Sequence, residues 1–158
     1  MSDHTHRYTA TCSWRGSTAV GYEAYDRSHA ATAPPAVTSV DLSADPAFRG
    51  DPAKLNPEQL LVLAASSCQL LSFLAVCARA RVDVVSYEDE AIGEMPDGRY
   101  PWVERIVLHP RVTYRGEAKE ERVLHLLELA HQECFIANSL RTEITLEPTV
   151  ERMPILGT

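Results

Sequence analysis

The sequence contains no run of basic residues, no two cysteines in C-x-x-C spacing, no internal repeat and no low-complexity stretch. Each absence removes a class of function. With 15 Lys and Arg against 22 Asp and Glu the net charge is −7, and a chain without a basic patch lacks the electrostatic footprint of a nucleic-acid binder. Cys12, Cys68, Cys77 and Cys134 have the spacing of neither a zinc ribbon nor a thioredoxin-type motif. The opening MSDHTHRYTATCSW has no apolar stretch of the kind a secretory signal requires. A cytoplasmic location is therefore expected, with the cysteines reduced at rest. The 158 residues suffice for one domain, 1–158, with a sizeable core.

What is present is organised around residues 56–81, NPEQLLVLAASSCQLLSFLAVCARAR, the longest apolar segment of the chain. Asn56 can cap a helix, Pro57 suits its first position, and Gln59 completes an Asn-x-x-Gln capping box. Glu58 in the first turn and Arg79 and Arg81 in the last complement the helix dipole. The pattern predicts one helix of about 24 residues, roughly 36 Å long. Its leucines, alanines, valine and phenylalanine lie nearly all round, as in a buried or membrane-spanning helix. Ser66, Ser67, Gln69 and Ser72 cluster at its centre, where hydrocarbon tolerates polar groups least. A buried core helix is expected rather than a membrane span. The polar patch around Cys68 is then a local conflict with burial, and such conflicts mark functional sites.

Around this helix the chain alternates strand and turn signals. Residues 8–14 alternate as a strand, 15–17 form a turn, and 18–25 read as the return strand of a hairpin, with Cys12 buried beside Trp14 as a small apolar residue. A polar turn at 26–29 and a short strand at 39–42 follow, then a Pro- and Gly-marked loop to residue 55. Beyond the helix come a strand at 84–94, a hairpin turn at 95–98, and a strand at 102–114 with Ile106, Leu108, Val112 and Tyr114 on one face. Pro110 within it suggests an edge or a bulge. A second helix is read at 119–138, with Val123, Leu126, Leu127, Ala130 and Cys134 at helical spacing, and a last strand at 141–150. The order gives an α+β fold with two helices on antiparallel sheet rather than βαβ units.

Chemistry centres on the two helical cysteines. A thiolate, not a thiol, is the nucleophile, and an ordinary cysteine is mostly protonated at neutral pH. Burial opposes ionisation and a nearby cation favours it. A buried free cysteine is usually an inert small hydrophobe; the polar setting of Cys68 raises it above that base rate, and Cys134 alone carries less. Cys12 and Cys77 read as packing residues.

The motif Asn56-Pro57-Glu58-Gln59-Leu60-Leu61 with Cys68 ten residues after Glu58, the run Ala130-His131-Gln132-Glu133-Cys134, and the order of elements resemble the OsmC/Ohr family of thiol-dependent peroxidases over nearly the whole chain. The resemblance implies a two-layer α+β fold, an intertwined homodimer with sites at its interface, and no cofactor or metal. It also implies Cys68 as the residue that attacks an organic hydroperoxide, Cys134 as the one that resolves the product as a disulfide, and a dithiol reductant of lipoyl type. Glu58 matches a glutamate that holds a thiolate-activating arginine. The Gly-Gly-Arg turn that carries this arginine in Ohr-type members is missing; Arg27 is the best positional substitute and Arg15 the second. Phe135 stands where a proline usually follows the second cysteine, and Gln69 where an aromatic usually follows the first. The chain resembles a divergent member.

Glu58 and Cys68 are separated by ~15 Å along the helix and ~280° of rotation, so one straight helix cannot bring them together. If Glu58 serves the site around Cys68, it must come from a second subunit. Two other functions fit parts of the pattern: a zinc site using His125, His131, Cys134 and Cys68, and a small-molecule binder of the same fold without turnover.

Overall fold

The computed structural model describes residues 4–154, which divide into two compact units, one up to Leu60 and one from Leu61 onward. The first unit is built on a three-stranded antiparallel sheet of β1 (Thr11–Ser13), β2 (His29–Thr32) and β3 (Ser39–Leu42), in that order. β3 has the predicted bounds, but the predicted hairpin is absent. The 8–14 strand shrinks to three residues, and the 18–25 segment forms no strand. Ser17 accepts a hydrogen bond from the Ala19 N–H, a 3-10 turn runs over Thr18–Val20, and Gly21 takes φ 95°, so the chain turns away from β1 and β2 becomes its partner. Cys12 lies on this short outer strand and is exposed, not buried as expected.

The loop after β3 is held by its own side chains. Asp45 accepts from Ala47, Asp51 accepts from Ala53, and Ser43 accepts from the Asp51 N–H. It delivers the chain to the capping box. The Asn56 side chain accepts from the Gln59 N–H at 2.8 Å, and the Gln59 side chain accepts from the Asn56 N–H at 3.0 Å. Helix α1 (Pro57–Ala80) follows, with the predicted 24-residue length. It ends with Arg81 in the left-handed region at φ 57°, Val82 N–H bonded to the Cys77 carbonyl and Arg81 N–H to that of Ala78. These are the two hydrogen bonds of a Schellman motif.

The helix is not buried all round. Ala65, Gln69, Phe73, Val76 and Cys77 form one buried stripe at helical spacing, while Leu63, Leu71 and Leu74 are 53%, 64% and 41% exposed. By length and composition alone α1 could cross a membrane, but the buried stripe is that of an amphipathic core helix with a second, apolar, open face.

The second unit pairs strands β4 (Asp83–Asp89), β7 (Pro110–Arg115) and β9 (Thr149–Arg152) in one sheet, and β5 (Ile92–Glu94), β6 (Arg105–Leu108) and β8 (Glu143–Leu146) in another. Each predicted long strand is thus two, broken at the same level by Glu90-Ala91, His109 and Glu147-Pro148. The break is a crease with its own hydrogen bonds. Asp89 accepts from the His109 N–H at 2.7 Å, the Glu147 N–H donates to the Leu108 carbonyl at 2.8 Å, and the His109 ring lies 3.3 Å from Glu147. Pro110 opens a central strand, a position that spares the ladder a missing N–H, and the bulge lies on β4 between Val84 and Ser86. The connection from β5 to β6 is a longer loop than the expected tight turn.

Helix α2 (Glu120–Glu133) connects β7 to the last strands, and β6–β8 and β7–β9 pair in parallel. The fold is α+β, but its sheets are mixed and α2 serves as a crossover, so the all-antiparallel expectation is corrected. Phe73, Val76 and Cys77 of α1 pack with Val123, Leu126, Leu127 and Ala130 of α2 over Val112 and Tyr114. A second cluster sets Ala65 on Ile106 and Leu108, with Val103 beside them. Gly93 lets α1 approach, since a Cβ there would lie 2.5 Å from Val62 Cγ2.

Candidate active site: the Cys68–Cys134 pair

Cys68 sits half-buried in the middle of α1, and Cys134 is 1% exposed immediately beyond α2. The expected helix through residue 138 stops at Glu133. Cys134 takes extended angles (φ −70°, ψ 112°), and a 3-10 turn forms at Ala137–Ser139. The loop is tied by Asn138 N–H to the Cys134 carbonyl, the Asn138 side chain to the Gln132 carbonyl, and the Ser139 hydroxyl to the Phe135 carbonyl. Its purpose is visible at the sulfur: the Ala137 N–H donates to Cys134 Sγ at 3.5 Å.

The thiols of Cys68 and Cys134 lie close enough to act on one another. Burial pushes the Cys134 thiol up to about 11, the Ala137 and Ile136 N–H groups pull it down, and the adjacent Cys68 adds a smaller upward push. Cys134 is therefore a buried thiol at neutral pH, with the half-buried Cys68 beside it. Cys77 is also buried and pushed up to about 11 by burial, without a second thiol at its side, as expected of a packing residue.

The floor of the site comes from residues that sequence reasoning passed over. Tyr87 and Asp89 alternate with Glu88 on β4, so they share one face of the strand. The Ser66 hydroxyl donates to Asp89, and the Phe73 ring lies 5.7 Å from that of Tyr87, so the two residues meet α1 on either side of Cys68. The strand's period of two was the signal available to find them. Gln69 is completely buried, its amide nitrogen donating to the Leu127 carbonyl at 3.1 Å and its oxygen left without a partner.

Arg27 and Glu58 belong to the first unit. The Arg27 guanidinium donates to the Tyr25 and Tyr22 carbonyls at 2.8 and 2.7 Å and stacks over both rings. It borders a mostly apolar cleft of about 370 Å³ lined also by Trp14, Tyr25, His29, Ser43 and Pro57. Glu58 lies half-buried in the first turn of α1 and forms no ion pair among the described residues, so within one chain Arg27 and Glu58 are not joined. Arg15 is exposed. Of the candidate zinc ligands, His125 is exposed while Cys134 is buried beyond the helix end, and no three His, Cys, Asp or Glu side chains converge as a metal site among the described residues.

The family model of the OsmC-like proteins matches residues 50–149. No curated protein matches the sequence. Among solved structures, an OsmC-like protein of unknown function from Vibrio cholerae is 29% identical, with TM-score 0.83 over 92% of this chain and 100% of its own. An organic hydroperoxide resistance protein from Legionella pneumophila shares 14% identity with TM-score 0.69, over 94% of this chain and 99% of its own. One from Elizabethkingia anophelis shares 18% identity with TM-score 0.69, over 96% and 99%. At that identity the last two share the fold.

Proposed function

We propose, since the chain belongs to the OsmC-like protein family, that it is a thiol-dependent peroxidase acting on organic hydroperoxides in oxidative-stress defence. The observation that carries this reading is the closeness of Cys68 and Cys134, two free thiols from different elements, one half-buried and one buried. The organic hydroperoxide resistance proteins that share the fold support the choice of substrate.

In this mechanism the Cys68 thiolate attacks one peroxide oxygen. The O–O bond breaks, Cys68 becomes a sulfenic acid, and the leaving alkoxide takes a proton to depart as the alcohol. The Cys134 thiol then attacks the Cys68 sulfur, and its proton leaves with the sulfenic oxygen as water. An external dithiol, of lipoyl type in this reading, returns both cysteines to thiols by two exchanges. The role of Arg27 is to favour the Cys68 thiolate, and that of Glu58 is to hold this arginine. We further assign a homodimer in which the open Leu63, Leu71 and Leu74 face of α1 is covered by a second copy. A cytoplasmic setting keeps the thiols reduced between turnovers.

The test is mass spectrometry of the reduced protein before and after one equivalent of cumene hydroperoxide. A loss of two hydrogens localised to a Cys68–Cys134 disulfide is expected. An unchanged mass, with the peroxide unconsumed, overturns the peroxidase and leaves a binding protein.

A further inference from the structure

The Tyr87 hydroxyl is buried and has no hydrogen-bond partner. An unmade hydrogen bond of this kind destabilises the fold, and a phenylalanine would fill the same space without it. Asp89, two residues along the same face, does not supply the partner: its carboxylate already accepts from the Ser66 hydroxyl and the His109 N–H. Tyr87 packs against the stretch of α1 that carries Cys68: Ser66 meets Asp89 and Phe73 meets Tyr87, one on each side of that cysteine in the sequence. Cys134 lies near the phenol, since ionising that thiol would oppose ionisation of Tyr87. The groups that act on this position are thus Cys134, from beyond α2, and Asp89 on β4 itself, with Cys68 facing Cys134. Burial first, then Asp89, then Cys134 hold the phenol well above its ordinary range, so it remains a hydrogen-bond donor at every working pH.

We propose that Tyr87 is the donor to the sulfenic oxygen: its hydroxyl gains its missing partner when Cys68 is oxidised, and it holds that oxygen as Cys134 displaces it. The proposal rests on the peroxidase reading above. The bond that forms is Cys68 Sγ to Cys134 Sγ, the bond that breaks is Cys68 S–O, and the Cys134 proton leaves with the oxygen as water. Tyr87 keeps its own proton. A donor whose hydrogen bond strengthens as negative charge builds on the departing oxygen favours the displacement by Cys134, while the attack of Cys68 on the peroxide does not depend on it.

The experiment compares wild type with Tyr87→Phe after rapid mixing with cumene hydroperoxide, quenching free thiols and assigning each cysteine by mass. Oxidation of Cys68 should be unchanged, disulfide formation should slow by about tenfold, and excess peroxide should drive more Cys68 to sulfinic acid. The slowing should be the same from about pH 6 to 8, since the phenol does not ionise there. Equal rates of disulfide formation in the two proteins overturn the role of Tyr87 alone. Equal slowing of both steps means a packing role and overturns it as well. Should Tyr87→Phe fold poorly, Tyr87→Met gives a second hydroxyl-free side chain for the same comparison. A wild type that forms neither sulfenic acid nor disulfide overturns the peroxidase reading beneath it.

Discussion

The Cys68 and Cys134 thiols, 66 positions apart in the chain, are neighbours where α1 passes the end of α2. Their separate roles follow from their separate settings. Cys68 is half-buried and reachable, whereas Cys134 is closed off. Cys68→Ser is expected to abolish hydroperoxide consumption. Cys134→Ser should react once and then accumulate sulfenic and sulfinic acid at Cys68, read by mass. Cys12→Ser, on an exposed strand, should leave turnover intact. Full turnover by Cys68→Ser sinks the assignment.

Asp89 joins α1 to the sheet crease through the Ser66 hydroxyl and the His109 N–H. Hydrogen bonds to a charged acceptor are each worth ~1.5–3 kcal/mol, so Asp89→Ala, which removes two, is expected to lose about 3–6 kcal/mol in urea unfolding. Asp89→Asn keeps one acceptor and should lose less. Because Ser66 lies one half-turn before Cys68, Asp89→Ala should also slow disulfide formation.

The parts of this architecture legible in the sequence are those set locally. The capping box at Asn56 and Gln59 fixes the start of α1 wherever the helix packs, and the 3.6-residue spacing of Val123, Leu126, Leu127 and Ala130 fixes the buried face of α2. Strand ends were harder. The breaks at Glu90-Ala91, His109 and Glu147-Pro148 exist because three neighbouring strands crease together, which no single strand announces. The parallel pairing of β8 and β9 depends on where α2 returns the chain. The cysteines stood out by residue type. Tyr87 and Asp89 did not, because their importance comes from what α1 and the Cys134 loop set against them.

Alkaline pH should unfold the protein through its buried thiols. The fold holds Cys77 and Cys134 at about 11, above their ordinary 9.0, so it favours the protonated forms. A raised pKa contributes stability that is fully present below pH 9 and lost as pH rises towards 11. For Cys77 the contribution is about 2–3 kcal/mol. Cys77→Val, of similar volume and without a proton to lose, should flatten the fall in stability between pH 9 and 11 measured by urea titration. An unchanged slope would place the alkaline transition elsewhere.

Arg27 is expected to govern activation. Its guanidinium also holds the Tyr22 and Tyr25 carbonyls, so Arg27→Ala removes a cation and loosens the turn together. In Arg27→Ala the alkylation of Cys68 should shift to higher pH and its oxidation should slow, most visibly near neutrality. Arg27→Lys keeps the charge without the two-carbonyl fork and should recover part of the loss. If the alkylation profile is the same in Arg27→Ala as in wild type, the role passes to Arg15.

Glu58 raises the question of which chain completes the site. It stands in the first turn of α1, ten residues before Cys68, and the helix runs unbroken between them, so its side chain cannot span the ~15 Å of axis and ~280° of rotation. It forms no ion pair among the described residues of its own chain, and the face of α1 bearing Leu63, Leu71 and Leu74 is open. A second copy laid on that face would cover the leucines and could bring its own Glu58 to this Cys68. Leu71→Glu should then yield a folded monomer in analytical ultracentrifugation, with circular dichroism unchanged and hydroperoxide turnover lost. Subunit mixing supplies the decisive comparison. Pure Cys68→Ser and pure Glu58→Ala proteins are each expected to be poorly active. A mixed dimer sets the intact Glu58 of one chain beside the intact Cys68 of the other, while its second site carries both defects. Recovery to about half of wild-type turnover per mixed dimer is expected from this arithmetic of sites. Mixed dimers that form, as seen by native mass spectrometry, and remain inactive would show that Glu58 does not act across the interface.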